Sequence, residues 1–138
     1  MKLFRPKSAE LENPTVIVVD DEAPVRDVQN RMLSQAGYQV LTADDANKAL
    51  AIIKERPDIN LVIADVHMPE MNGDEMARHI RALRPDLKIL FVTGFSDTLF
   101  TNQPILWDDQ AFLDKPFTRQ GLLEAVSLLL NGRLQPES

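Results

Sequence analysis

The chain of 138 residues contains no cysteine. That absence excludes a disulfide framework, a thiolate nucleophile and any cysteine-based zinc site. Histidine is nearly as scarce: only His67 and His79 occur. Neither has a second histidine or a cysteine close by, which argues against an imidazole-bound metal. Lysine and arginine form no run and the formal net charge is −6, so direct nucleic-acid binding is not expected. No apolar stretch is long enough to cross a bilayer, and the basic opening "MKLFRPKSAELEN" lacks the apolar centre of a signal peptide. A cytoplasmic protein with no membrane partner is the expectation. Internal repeats and low-complexity segments are also missing. What remains is an ordinary globular composition, 44% apolar and 26% charged, on a chain the size of one domain with a real core.

Two periodicities alternate along it. Short runs with strand character are "TVIVVD" (15–20), "YQVLTA" (38–43), "LVIAD" (61–65), "KILFVT" (88–93) and "QAFL" (110–113). Between them lie helical patterns: Val25, Val28, Met32 and Ala36, then Met76, Ala77, Ile80 and Leu83. A last helix carries Leu122, Leu123, Val126, Leu129 and Leu130 and stops at Asn131-Gly132. Gly37, Pro57 and Pro85 mark other helix ends. This alternation implies βαβ units and an α/β fold, a small doubly wound parallel sheet of five strands covered on both faces. Residues 14–131 are expected to form the domain, 1–13 a flexible N-terminal extension and 132–138 a tail. One segment fits poorly. "SDTLFTNQPILWDD" holds Pro104, which removes a backbone donor and restricts Gln103, so the fourth helical segment is expected to be short or irregular, a turn or two from about Asp97 to Asn102.

The stretch "TVIVVDDE" runs an apolar strand straight into adjacent carboxylates. Like charges at the rim of a core are unfavourable unless something positive joins them. An Asp-Asp pair alone proves little, because Asp44-Asp45 and Asp108-Asp109 repeat it. The second pair opens a helix (Ala46, Ala49, Leu50, Ile53), where an acid caps free N–H groups and suits the dipole. The third, after Trp107, reads as a loop. Only Asp20-Asp21 closes a buried strand.

Ligands of open parallel sheets bind beyond the carboxyl ends of the strands, where strand order reverses. The chain's polar strand ends are Asp20-Asp21, Asp65, Thr93 and the residues just before Lys115. With strand order 2-1-3-4-5, strands one and three flank the switch point and three carboxylates share one crevice with a hydroxyl and an ammonium. Carboxylates, a carbonyl and waters suit Mg²⁺, whose charge offsets their repulsion. Thr93 then donates to one phosphoryl oxygen, Lys115 neutralises another, and Asp65 is placed for in-line attack giving an acyl phosphate.

With these residues identified, the sequence closely resembles the response-regulator receiver domain of two-component signalling, a flavodoxin-like fold of five βα units. The matching motifs are "VVDDE", "ADVHMPEMNG", "VTG" and "FLDKPF", in that order and each at a strand end. The resemblance runs from residue 15 to about 131. It implies that Asp65 is the phosphoacceptor and that Asp21 and Asp65 ligate Mg²⁺ directly. Asp20 would act through water, and the His67 main-chain carbonyl would complete the protein ligands. It implies Thr93 and Lys115 as the phosphoryl-holding pair, Phe112 as an aromatic switch as well as a core residue, and a cis Lys115–Pro116 bond. His79 reads as solvated, while Met68 and Met71 pack near the Pro69–Gly73 turn.

The resemblance further implies a signalling module rather than an enzyme, with a histidine kinase or histidine phosphotransfer protein as phosphoryl donor. Output would pass through the face formed by the fourth helical segment, the fifth strand and the last helix, to a protein target or a second copy. Apart from the resemblance, Leu99, Phe100, Ile105, Leu106 and Trp107 crowd that fourth segment; either they fold inward over the sheet, or some stay exposed until Phe112 turns inward, with Trp107 as a natural probe. Only "RLQPES" follows the last helix, too little for an effector domain. The competing reading is a Mg²⁺-dependent aspartyl phosphatase of haloacid dehalogenase type. That family places its nucleophile on the first strand with an Asp two residues later, whereas Glu22 lies two beyond Asp20 and His67 two beyond Asp65. An FMN carrier would need a Ser/Thr-rich phosphate loop after strand one, which is lacking.

Overall fold

The structure, a computed structural model, describes residues 13–66, 68, 71–93, 110–114 and 117–131. Its elements are β1 (Thr15–Val19), α1 (Ala23–Gln35), β2 (Gln39–Ala43), α2 (Ala46–Glu55), β3 (Ile59–Asp65), α3 (Gly73–Leu83), β4 (Lys88–Thr93), β5 (Gln110–Asp114) and α4 (Arg119–Asn131). Every strand pair is parallel, and the sheet order is β2-β1-β3-β4-β5. β1 is buried along its whole length, as a strand with both faces covered must be.

Alternation along the strands divides the core in two. On one face Ile17, Val19, Val62, Ala64, Ile89 and Phe91 pack with Ala49 and Ile53 of α2 and Met76 and Ile80 of α3. On the other, Val16, Val18, Leu61, Ile63, Leu90 and Val92 pack with Leu33 of α1 and Leu122, Val126 and Leu129 of α4. The doubly wound parallel architecture expected from the alternating patterns is the one observed. Where β1 meets β3, the register slips between Thr15 and Val16. Asn60 fills the gap: its Oδ1 accepts the Thr15 N–H at 2.9 Å, replacing a ladder bond with a side chain.

Local signals explain the helix ends. Asp45 caps α2, its Oδ1 accepting the Lys48 N–H at 2.7 Å, while Asp44 pairs with the Lys48 ammonium at 3.0 Å. That hydrogen bond to Lys48 holds the Asp44 carboxyl below the usual carboxylate range. Gly37, at φ 101°, ends α1 in a left-handed turn: its N–H reaches the Ser34 carbonyl and the Tyr38 N–H reaches that of Leu33. Met68 is buried, Met71 packs on the core, and His79 is exposed on α3. Among the described residues, no helix is long and apolar enough to cross a membrane.

The apolar stripe read on α1 needs correction. Met32 packs on the core and Val25 is half-buried, but Val28 is 41% exposed and Ala36 is exposed, while the buried positions are Gln29 and Leu33. The sheet imposes this rotation, and a polar residue at the centre of the true face concealed it. Gln29 is 1% exposed and its Oε1 meets no hydrogen-bond donor among the described residues. A buried acceptor left unpaired costs about 1–3 kcal/mol. Gln29→Met keeps the side-chain length and removes both polar atoms, so it should stabilise the fold by about 1 kcal/mol. Urea unfolding of the two proteins checks this, and a lower midpoint for the methionine variant would count against it.

The segment holding Leu99, Phe100, Pro104, Ile105, Leu106 and Trp107 lies outside the described residues, as do Asp108-Asp109, residues 1–12 and 132–138.

Candidate functional site

The chain turns sharply after β1, and the turn is built from its acids. The Asp20 N–H donates to the Ala43 carbonyl at 3.2 Å, carrying the β1–β2 pairing one residue further. Its side chain bends back over the loop, and Oδ1 accepts the Glu22 N–H at 2.9 Å. Glu22 occupies the cap position of α1 and Pro24 its first turn, where a missing N–H costs no helical bond. One turn on, the Arg26 Nη1 donates to the Asp20 main-chain carbonyl at 2.7 Å. That clamp escaped the sequence reading. Its only trace is a basic residue four positions after Glu22, an unremarkable helical spacing.

Asp65 closes β3, which the register places beside β1: Val19 is level with Ala64, so the residues that follow, Asp20 and Asp65, reach the same edge. Asp20 is 1% exposed, Asp65 is 6% exposed, and Asp21 faces solvent. One carboxylate oxygen from each of Asp20, Asp21 and Asp65 lies within 4.8 Å of the other two. The acid pair after β1 and the acid that ends β3 therefore do meet.

The chain beyond Asp65 is tied on both sides. The Val66 N–H donates to the Val92 carbonyl of β4 at 3.2 Å, and the Val66 carbonyl accepts the Gly73 N–H of α3 at 3.0 Å. Asn72 caps α3, its Oδ1 accepting the Glu75 N–H at 2.8 Å. Asp65 is level with Val92, and Thr93 follows as the last residue of β4. Thr93 is level with Asp114, the residue before Lys115, and Phe112 is level with Phe91. The backbone thus brings the Thr93 position to the edge that carries Asp65. Lys115, Pro116 and His67 lie outside the described residues, and for Thr93 and Phe112 the description is of backbone only.

The donor set can be matched against a metal. Three carboxylates, two of them buried, offer only hard oxygen and gather negative charge in one crevice. Mg²⁺ favours oxygen donors and binds through one or two carboxylates, keeping several waters. Exposed Asp21 leaves one side of the cluster open to those waters. The residues fit such an ion.

Comparison with known proteins gives a consistent picture. The response regulator receiver domain model matches residues 16–127. The sensor kinase CckA of Brucella abortus is 36% identical over 117 residues, which cover 84% of this chain and 12% of that kinase. The chain likewise spans 45% of the transcriptional regulatory protein YrkP of Bacillus subtilis, 35% identical, so it covers less than half of these two relatives. The response regulator receiver protein CpdR of Brucella abortus is 32% identical, with 83% of this chain matching 95% of that protein. Among solved structures, a response regulator receiver protein from Sinorhizobium medicae superposes with a TM-score of 0.77 at 30% identity, covering 90% of this chain and 99% of the other. Four motifs at successive strand ends, an acidic crevice at the carboxyl edge of a parallel sheet and these matches lead to one assignment: the chain belongs to the response regulator receiver domain family of two-component signal transduction.

Proposed function

We propose that Asp65 accepts a phosphoryl group from a phosphohistidine in a Mg²⁺-dependent reaction, and that the acyl phosphate switches a protein-interaction surface. The observation that carries this reading is the convergence of Asp20, Asp21 and Asp65 at the edge of β1 and β3. Asp65 is the member at the end of β3, anchored through Val66 to both neighbouring elements, as a nucleophile held for in-line attack should be.

An Asp65 carboxylate oxygen forms the new O–P bond as the P–N bond to the donor imidazole breaks, and the electron pair stays on the departing nitrogen. Bound Mg²⁺ supplies neutralisation of the charge shared by carboxylate and phosphoryl oxygens. Asp21 and Asp65 would hold it directly, Asp20 through water, and the His67 carbonyl would complete the set. Asp20 also shapes the loop through the Glu22 N–H, and Arg26 braces that loop from α1. Thr93 and Lys115 hold the phosphoryl oxygens in this reading, and Phe112 relays their movement. The relayed surface is the face of β5, α4 and the segment before β5, available to a downstream protein or a second copy. Residues 14–131 make up the receiver unit.

The donor is a histidine kinase or a histidine phosphotransfer protein. The likeness to a chain named as a sensor kinase supports such a pairing. Autophosphorylated histidine kinases of the host, each mixed briefly with the protein and Mg²⁺, provide the test. One or a few should pass their label to this chain within seconds to minutes, while the others transfer far more slowly. Absence of transfer from every kinase and phosphotransfer protein would refute the donor assignment.

A further inference from the structure

We propose that Gly73 is a positioning residue for chemistry at Asp65: lacking a side chain, it lets the start of α3 sit against Phe91 and hold the chain that follows the accepting carboxylate. This rests on the reading of Asp65 as phosphoacceptor. Gly73 opens α3, and its N–H holds the carbonyl of Val66, the residue directly after Asp65, at 3.0 Å. A Cβ at Gly73 would lie 3.0 Å from Phe91 Cε1, 3.3 Å from Phe91 Cδ1 and 3.4 Å from the Val66 Cα. Carbon atoms in good contact are about 3.5–4.0 Å apart, so the Val66 contact is ordinary, whereas the two Phe91 contacts are tight and either the ring or the helix start must give by a few tenths of an ångström.

Conformational freedom does not account for this glycine. Among the described glycines only Gly37 has positive φ, so the Gly73 backbone is one that alanine adopts freely. Glycine is the weaker choice in a helix, which leaves space as its reason. Phe91 forms the wall. Its ring is 1% exposed, packed in the same core cluster as Met76 and Ile80, and level in the sheet with Ala64, the residue before Asp65. A close-packed interior leaves that ring little room to withdraw. An alanine at position 73 must then push the start of α3 outward, and Val66 either follows it or loses its partner. Asp65 is covalently next to Val66 and moves with it. In-line attack tolerates such displacement poorly, since misplacement by about 1 Å can cost a hundredfold in rate.

The test measures the initial rate of labelling by acetyl phosphate per folded molecule, at saturating Mg²⁺, in the full chain. Gly73→Ala should slow labelling by about tenfold or more. Phe91→Leu, which trims the wall, should label at close to the wild-type rate, and Gly73→Ala with Phe91→Leu should come within about threefold of Phe91→Leu alone. Wild-type labelling at Gly73→Ala, or a double variant as slow as Gly73→Ala, would overturn the proposal. If Gly73→Ala does not fold, the comparison of the double variant with Phe91→Leu decides alone, and a double variant that is unfolded or tenfold slower would also overturn it. A wild-type protein that takes no label would refute the acceptor reading instead.

Discussion

With Asp65 replaced by alanine, incubation with acetyl phosphate and Mg²⁺ is expected to leave no base-labile phosphate on the protein, whereas the parent chain should be labelled. The expected loss is complete rather than partial because no other described residue supplies the same combination. Asp20 is equally buried, but its Oδ1 is engaged by the Glu22 N–H as part of the turn that begins α1. Asp21 is exposed, and an acyl phosphate there would stand in solvent. Among the described residues, Asp65 alone sits between two braced strands with its following residue bonded to both β4 and α3. An aspartyl phosphate is lost in base, so hydroxide treatment of the labelled parent identifies the linkage chemically. Label that survives base and is lost in acid, or labelling unchanged in Asp65→Ala, would assign the phosphate to a different residue. Lys115→Ala is expected to keep part of the labelling and impair the switch, because in the proposed reading that ammonium holds the phosphoryl group and attacks nothing.

The second large effect concerns stability without metal. Two unit charges about 5 Å apart repel by on the order of 3 kcal/mol at an effective dielectric near 20. Here three carboxylates come within 4.8 Å of one another, and two of them are buried. Exposure of Asp21 and the donor from Glu22 relieve part of that repulsion. What remains is still enough for a neutral isostere to matter. In EDTA, Asp20→Asn and Asp65→Asn should each raise stability by about 1–2 kcal/mol, which moves the melting temperature by several degrees in a domain of this size. Mg²⁺ should stabilise the parent by mass action, by about 2.7 kcal/mol at a hundred times its dissociation constant. In the two asparagine variants this gain should shrink or vanish. Differential scanning fluorimetry with and without Mg²⁺ reads both effects together. Variants that melt lower than the parent in EDTA would mean that the carboxylates do not crowd one another as the structure places them.

The acid pairs mark the boundary between what can be read and what must be folded. Three Asp-Asp pairs are indistinguishable as dipeptides, and only their neighbours separate them. Asp44-Asp45 precedes a helical pattern and caps that helix through the Lys48 N–H. Asp20-Asp21 follows a run, residues 16–19, with no polar position, and such a run belongs to a strand covered on both faces. These are local facts, set by capping chemistry and by the period of the apolar residues, and they suffice for the βαβ alternation and the doubly wound fold. The convergence of Asp20 with Asp65 was also legible, though by a general rule about where parallel sheets bind ligands rather than by any local force.

The remainder belongs to the tertiary structure. Helical spacing offered Val25, Val28, Met32 and Ala36 as the inner stripe of α1; Met32 does pack on the core, yet the residues the helix buries are Gln29 and Leu33. A helix turns whichever face the sheet and its neighbours leave room for, and one misleading polar residue outweighs nothing in that packing. Gly73 read simply as a turn residue, because the Phe91 ring that would crowd a side chain there lies on another strand. The Arg26 clamp needs a carbonyl six residues back to be turned toward it, which only the folded β1–α1 loop achieves. Sequence by itself determined which residues carry charge, which runs become strands and in what order they follow. Distances between groups far apart in the chain, the rotation of each helix and the room beside each backbone atom arise only when the two faces of the sheet are packed, because they are properties of surfaces meeting and not of residues in a row.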